Sequence, residues 1–165
     1  MQDLRSMTES ELKTAAQELG QPAYRGAQLF EWLQKKKIRD LDEARNLPQA
    51  FRNALRQNFT LSTLTVHTLQ ISKDGTRKYL FLLPDGQAVE SVFMPYDYGS
   101  TVCVSSQVGC RMGCRFCAST LNGLSRNLLP GEMLEQIFRI EGRRLRRWTT
   151  SWSWAWASRW TIWKT

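Results

Sequence analysis

The chain has 165 residues, 42% of them hydrophobic, and a formal net charge of +8. This length and composition suit one globular domain or two small ones, and the basic charge favours a polyanionic partner such as nucleic acid. No apolar run approaches the roughly 20 residues of a bilayer span, and "MQDLRSMTES" lacks the apolar stretch of a signal peptide, so we expect a cytoplasmic protein with reduced thiols and no membrane partner.

Residues 1–62 predict a small domain of three helices. Thr8 and Glu11 form a capping-box pattern before the first helix. Gly20 is a suitable stop, Pro22 opens the second helix, and the third follows Pro48. The basic residues of this domain fit either a solvated face or a surface that contacts RNA; they are Arg25, Lys35, Lys36, Lys37, Arg52 and Arg56.

Residues 63–100 predict a three-stranded antiparallel meander. Its strands are "LTVHTLQI", "RKYLFLL" and "QAVESVFM", which are rich in β-branched and aromatic residues. The segments between them, "KDGT" and "PDGQ", are typical of turns. His67 is expected to be a strand residue and not a metal ligand.

Residues 101–147 predict a strand, a cysteine-rich loop and a helix. "YDYGST" at 96–101 indicates a loop, "TVCVSSQ" at 101–107 a short strand, and "GEMLEQIFRIEGRRLRR" a helix entered through Pro130. Strand, loop and helix in this order are typical of a parallel α/β structure, which places ligands at the carboxyl ends of its strands. The predicted fold class is therefore an α+β N-terminal region followed by the first strand–helix unit of an α/β barrel.

The loop contains three cysteines in a C-x3-C-x2-C pattern: Cys110, Cys114 and Cys117. Structural zinc takes four ligands, usually as two separated pairs, and Cys103 on the preceding strand is a poor fourth ligand. A [4Fe–4S] cluster normally takes four cysteines, so three would leave one iron open to a ligand that is not part of the protein. From the spacing, structural zinc and a redox pair remain open alternatives.

This spacing, with the aromatic Phe116 before the last cysteine, resembles the signature of radical S-adenosylmethionine enzymes. The longer segment "CVSSQVGCRMGCRFCASTLNGLSRNL" resembles the core of the RlmN/Cfr family of RNA adenine methyltransferases. "QLFEWL", "DGTRKYLF" and "VESVFMP" are also similar to that family, and the resemblance covers about residues 8 to 142.

The resemblance implies a set of roles for these residues. Cys110, Cys114 and Cys117 would hold a [4Fe–4S] cluster, with Phe116 beside the cofactor and S-adenosylmethionine chelating the open iron. Reduced cluster would then cleave S-adenosylmethionine to a 5′-deoxyadenosyl radical. Glu90, in "AVESVFMP", would accept the proton lost from the methylated adenine.

The family resemblance also implies the substrate, the partners and the fold. The substrate would be 23S ribosomal RNA methylated at C2 of an adenine, with transfer RNA as a further substrate and an electron donor as a partner. At full length the protein would be a monomer with a TIM-like barrel. Methylation at C8, as in the Cfr branch, and a non-catalytic RNA-binding module holding structural zinc are the alternatives. Arg126 and Asn127 are candidate contacts to RNA or cofactor.

Residues 148–165 do not follow the family pattern. Six of the seven tryptophans lie in "WTTSWSWAWASRWTIW", with no helical or strand periodicity. Tryptophan has a single codon, and regrouping the bases of residues 153–164 one position earlier permits M-G-M-G-E-P-M-D-N-L-E, similar to the family's G-x-G-E-P segment. We therefore expect a shifted reading frame after about Glu141, and an N-terminal fragment that is inactive alone.

Overall fold

The computed structural model of the chain describes residues 1–97, 99–115, 117–141 and 148–153. The chain divides into two compact units. The first holds Met1–Thr63 and Pro130–Leu134, and the second holds Leu64–Leu129 and the chain from Glu135 onward. None of the helices in these described ranges has both the length and the apolar character needed to span a membrane.

The first unit contains the three predicted helices and two short strands. The helices are α1 (Glu9–Glu18), α2 (Tyr24–Gln34) and α3 (Gln49–Asn58), and the strands are β1 (Gln2–Asp3) and β2 (Phe59–Thr60), which pair in parallel. The predicted capping box is present at α1. The Glu11 backbone N–H donates to Thr8 Oγ1 over 3.3 Å, and the Thr8 N–H donates to Glu11 Oε2 over 2.7 Å.

The core of the first unit encloses a charged side chain, Arg5, which is 1% exposed. Its guanidinium donates to the backbone carbonyl oxygens of Leu33 at 3.2 Å, Ile38 at 2.7 Å and Ser62 at 3.4 Å. Buried polar groups are tolerated when they are hydrogen-bonded, and bonds to a charged donor are the stronger ones. Arg5 therefore joins the end of α2 and the segment after it to the chain that follows β2.

The second unit is built on a five-stranded sheet in the order β3-β4-β5-β6-β9. Its strands are β3 (Thr65–Ile71), β4 (Arg77–Leu82), β5 (Ala88–Tyr96), β6 (Gly99–Val104) and β9 (Trp148–Ser153), with β7 (Gln107–Gly109) and β8 (Leu124–Asn127) forming a separate pair. The first four strands of the sheet pair antiparallel, so the predicted meander is present and extends by one strand. His67 lies exposed on β3.

Alternation along β4 and β5 separates a buried from an exposed face. Tyr79, Phe81 and Phe93 are each at most 3% exposed, and the Tyr79 and Phe81 rings stack with centroids 5.6 Å apart. Because successive strand residues point to opposite faces, Lys78 and Glu90 lie on the other, exposed face. The burial of this aromatic face therefore directs Glu90 outward.

The sheet differs from the prediction around residues 96–107. The predicted loop at 96–101 is instead a tight connection, since β5 continues to Tyr96 and β6 begins at Gly99. The predicted strand 101–107 ends at Val104, and a new strand begins at Gln107. The new strand pairs with residues 15 or more positions later, Val108 with Arg126 for example, so its partner is not evident from the local sequence.

The helix predicted for 131–147 is α4 (Pro130–Glu141), and residues 142–147 lie outside the described residues. The tail, in which the tryptophans follow no helical or strand periodicity, contains β9, which pairs in parallel with β6. Backbone ladders use groups common to all residues, so an atypical composition does not prevent this pairing. The order β6, α4, β9 is a β–α–β arrangement. Its assignment to an α/β barrel stays a prediction. Residues 154–165 lie outside the described residues.

We expect Arg5→Leu to lower the free energy of unfolding by about 3 kcal/mol or more, because buried carbonyl oxygens lose a charged donor. Urea denaturation followed by circular dichroism measures the change. The exposed Arg45 provides the control, since Arg45→Leu should shift stability by no more than about 0.5 kcal/mol. Equal losses in the two variants would contradict a structural role for Arg5.

Candidate active site at the cysteine loop

The second unit contains an open cavity of about 480 Å³. It brings together three of the predicted site residues: Glu90, Cys110 and Cys117. Its other lining residues come from the β4–β5 turn and β5, from the segment around β7, and from the loop before β8 and β8 itself; they are Gln87, Ala88, Val89, Ser105, Ser106, Gln107, Val108, Gly109, Ala118, Ser119, Asn122, Gly123 and Ser125. Cys114 is not among the lining residues, and Phe116 lies outside the described residues.

The base of the cysteine loop is a close backbone contact between Gly109 and Gly123. The Cys110 N–H donates to the Gly123 carbonyl oxygen over 3.0 Å. Gly109 has φ +75°, and a Cβ placed there would lie 2.0 Å from the Gly123 carbonyl oxygen. Only glycine combines this conformation with this approach, so the contact sets where the first cysteine leaves the β7–β8 pair.

Within the loop, hydrogen bonds surround the cysteines. The Cys117 N–H donates to the Cys114 carbonyl oxygen over 3.0 Å. Thr120 Oγ1 donates to the carbonyl oxygens of Cys114 and Cys117 at 3.0 and 2.8 Å. The Met112 N–H points to Cys110 Sγ at 3.5 Å, a contact of the kind that tunes the reduction potential of iron–sulfur sites. Thr120 had no role in the sequence analysis, because its partners are backbone atoms.

The donor chemistry of this loop fits an iron–sulfur cluster. All three thiols are free and partly exposed, and soft thiolate ligands suit such clusters. Among the described residues, no three His, Cys, Asp or Glu side chains stand together as a group that could hold a metal ion. The loop therefore presents three suitable donors that would have to converge on a cluster.

Cys103 lies in a different environment. It is on β6, paired with Val92 of β5, and partly buried. Burial raises the pKa of its thiol to about 11, because a buried site disfavours the charged form. Since a cysteine binds metal as the thiolate, Cys103 is poorly suited to be a ligand.

Glu90 lies on the exposed face of β5 at the cavity wall. Its carboxylate oxygen is 2.7 Å from Lys78 Nζ, and its backbone carbonyl accepts a hydrogen bond from Ser105 Oγ over 2.7 Å. The sequence analysis did not identify Lys78. The strand register pairs Lys78 with Val92 and Glu90 with Leu80. This register makes the two charged residues diagonal neighbours on one face of the sheet, and a predicted register for the β4–β5 hairpin would have identified Lys78.

Ser106 adds a polar group that the sequence analysis missed. The residue is 4% exposed and lines the cavity. Its Oγ has no hydrogen-bond partner in the part of the chain that the structure describes. Since buried hydroxyls are normally bonded, this one is available to a molecule in the cavity.

Arg126, a predicted contact to RNA or cofactor, binds within the protein. Its Nε and Nη2 both lie 2.7 Å from Asp85 Oδ2 in the turn before β5. Burial opposes ionisation of Asp85, but the Gln87 N–H and the Arg126 guanidinium together hold the pKa of its carboxyl below the usual range. The neighbouring Asn127 Oδ1 accepts a hydrogen bond from Nε2 of Gln107, a residue that lines the cavity, over 2.6 Å.

The basic residues of the helical unit are partly balanced by acidic ones. Arg56 Nη2 lies 2.6 Å from Asp40 Oδ1 and 2.7 Å from Asp42 Oδ2, and Arg52 lies 3.3 Å from Asp42. Lys36 Nζ instead stacks over the Trp32 ring, 3.5 Å from its centroid. The six basic residues identified in the sequence therefore do not form one uniform positive face.

Comparison with known proteins relates both parts of the chain to RNA-modifying enzymes. Residues 2–61 match the family model described as the ribosomal RNA large subunit methyltransferase N-terminal domain. Proteins from Staphylococcus aureus strains JH9, Newman and Mu3, each named as a probable dual-specificity RNA methyltransferase RlmN, are 48% identical over 140 residues. That match covers 85% of this chain and 38% of each relative, so the chain spans well under half their length.

The fold has a counterpart among solved structures. A radical SAM methyltransferase from Sphaerobacter thermophilus superposes with a TM-score of 0.76 and 39% sequence identity. The match covers 88% of this chain and 45% of that one. The similarity therefore extends over most of the chain and not only over the helical unit.

We expect Gly109→Ala to open the base of the cysteine loop, since the new Cβ and the Gly123 carbonyl oxygen cannot occupy the same space. Amides of β7 and β8 should exchange with solvent about 100-fold faster, which corresponds to a loss of about 3 kcal/mol. Hydrogen exchange followed by mass spectrometry measures this.

Gly113→Ala is the matched control for Gly109→Ala. Gly113 has φ +66° with open space around a Cβ, so the substitution adds only backbone strain, about 1 kcal/mol. The interpretation fails if both variants accelerate exchange equally.

Proposed function

Since the matched part of this chain belongs to the RlmN/Cfr family of radical S-adenosylmethionine methyltransferases, we propose that it forms the cluster-binding and proton-accepting part of an enzyme that methylates an adenine of 23S ribosomal RNA at C2. The observation that carries this proposal is that Glu90, Cys110 and Cys117 line the same cavity. An ionisable acceptor and two candidate cluster ligands thus share one space open to solvent.

Cys110, Cys114 and Cys117 are the residues that would hold a [4Fe–4S] cluster. When bound there with S-adenosylmethionine, the cluster would supply one-electron chemistry. The Met112 N–H lies at Cys110 Sγ, where it would donate a hydrogen bond to a sulfur ligand of the cluster. Phe116, before the last cysteine, is proposed to contact the cofactor.

Glu90 is proposed to remove the proton from the adenine carbon that gains the methyl group. A general base must reach the proton it accepts, and the Glu90 side chain is 54% exposed at the cavity wall. Its ion pair with Lys78 is solvent-exposed, and such pairs contribute little to stability. The carboxylate can therefore leave Lys78 for a substrate, while Lys78 keeps a positive charge close to the site.

The RNA substrate is proposed from two comparisons. The matching family model is described as the ribosomal RNA large subunit methyltransferase N-terminal domain, and the relatives are named as RNA methyltransferases. Transfer RNA is a further proposed substrate, an electron donor a proposed partner, and a cytoplasmic monomer the proposed state of the whole enzyme. Because the chain spans 38% of the length of those relatives, the complete reaction is proposed for the whole enzyme and not for this chain alone.

Anaerobic reconstitution with iron and sulfide tests the ligand set. The chain should bind about four irons with broad visible absorbance, and replacing Cys110, Cys114 and Cys117 by alanine together should abolish both. Cys103→Ala is the matched control and should leave the iron content unchanged. Stoichiometric zinc without colour in the purified chain would instead support the RNA-binding module with structural zinc.

Glu90→Gln tests the proton acceptor in a longer protein that joins residues 1–141 to the C-terminal part of a Staphylococcus aureus relative. Loss of a general base should lower the rate of labelled methyl transfer to ribosomal RNA by about 100-fold or more, with iron content unchanged. The exposed Glu18 supplies the control, as Glu18→Gln should retain full activity. Unchanged activity in Glu90→Gln, or label on an atom other than adenine C2, would reject the assignment.

A further inference from the structure

Gln136 is a fully buried polar side chain on α4, with 0% of its surface exposed. Its Oε1 accepts hydrogen bonds from Ser91 Oγ at 2.7 Å and from the Ser105 N–H at 2.9 Å. Its Nε2 donates to the Ser105 carbonyl oxygen over 2.9 Å. The side-chain amide thus binds both backbone groups of Ser105, much as a neighbouring strand would.

These bonds lie where the pairing of β5 with β6 stops. The ladder between the two strands ends at the pair Val92 and Cys103. In the same register, two residues further on, Glu90 would face Ser105. Instead, the Ser105 N–H is bound to Gln136, and only the Ser105 hydroxyl reaches the Glu90 carbonyl oxygen, over 2.7 Å.

The cavity begins at this divergence. It is lined on one side by residues 87–90, which include the start of β5, and on another by residues 105–110, which follow β6. Continued pairing would bring the two strands to the usual spacing of about 4.8 Å and remove that space. The Ser105 backbone can leave the ladder because Gln136 satisfies its hydrogen bonds.

We propose that Gln136 is a positioning residue that keeps β5 and β6 apart beyond Val92 and Cys103, and so holds Glu90 at the wall of the cavity that Cys110 and Cys117 also line. The separation of the strands stands on the hydrogen bonds alone. Its importance for proton transfer rests on the proposed function of Glu90.

Amide-resolved hydrogen exchange on the full chain tests the separation. In Gln136→Met, which keeps much of the packing and removes the amide, the Ser105 amide should exchange about fivefold faster or more. Amides in β3 and in the first unit should keep their rates. Unchanged exchange at Ser105, or acceleration spread evenly over the second unit, would overturn the proposal.

Three further variants make the result specific. Ser91→Ala removes one bond to Gln136 but leaves both bonds to Ser105, so the Ser105 amide should stay within about twofold of its original rate. An acceleration equal to that of Gln136→Met would count against the proposal. Gln17→Met, at an exposed position of α1, controls for the replacement of a helical glutamine by methionine. Should Gln136→Met not fold, Gln136→Glu replaces it, since its ionised side chain cannot donate to the Ser105 carbonyl and should again accelerate exchange at Ser105.

The consequence for Glu90 is measured in the longer protein used for Glu90→Gln. There, Gln136→Met should lower kcat about tenfold while KM stays within about twofold and the iron content is unchanged. A loss confined to KM, or equal to the loss of folded protein, would refute a positioning role. If Ser105 exchanges faster but Glu90→Gln is fully active, then the proposed function fails and the strand separation stands.

Discussion

The contact between Gly109 and Gly123 is the constraint on which the candidate site depends. The backbone at the two glycines approaches so closely that no side chain fits between them, and the Cys110 N–H is bound at that point. The chain leaves this point at Cys110 and returns to it at Gly123. The partly exposed thiols are therefore carried on a segment whose base is fixed by the β7–β8 pair.

The other wall of the cavity is set by a different kind of interaction. The aromatic face of β4 and β5 is buried, with Tyr79 and Phe81 fully enclosed, and alternation then places Glu90 on the open side. Burial of apolar surface is not directional, so it decides which face Glu90 occupies but not its distance from the cysteines. Hydrogen bonds from Ser105 and Gln136 provide that finer control, since they specify particular atoms.

Local patterns in the sequence predicted most of the elements. The Thr8–Glu11 box, the turns at "KDGT" and "PDGQ" and the cysteine spacing each depend on residues within a few positions of one another, and the corresponding helix, hairpins and loop are present. Contacts between distant residues were not predictable in this way. Arg5 bonds to a carbonyl 57 positions away and Gln136 to a serine 45 positions away, and neither residue type signals such a partner in a linear pattern. Likewise, β9 forms in a segment whose composition indicated no element, because strand pairing draws on backbone groups.

The burial of Cys103 has a chemical consequence for its three neighbours in sequence. Thiol–disulfide exchange and the early steps of cysteine oxidation require a thiolate, and a thiol with a pKa of about 11 is almost entirely protonated at neutral pH. Peroxide or a loosely bound metal that reaches the loop therefore meets much less thiolate on β6 than a cysteine of ordinary pKa would present. Disulfide exchange between the loop thiols and the sheet is disfavoured to the same extent.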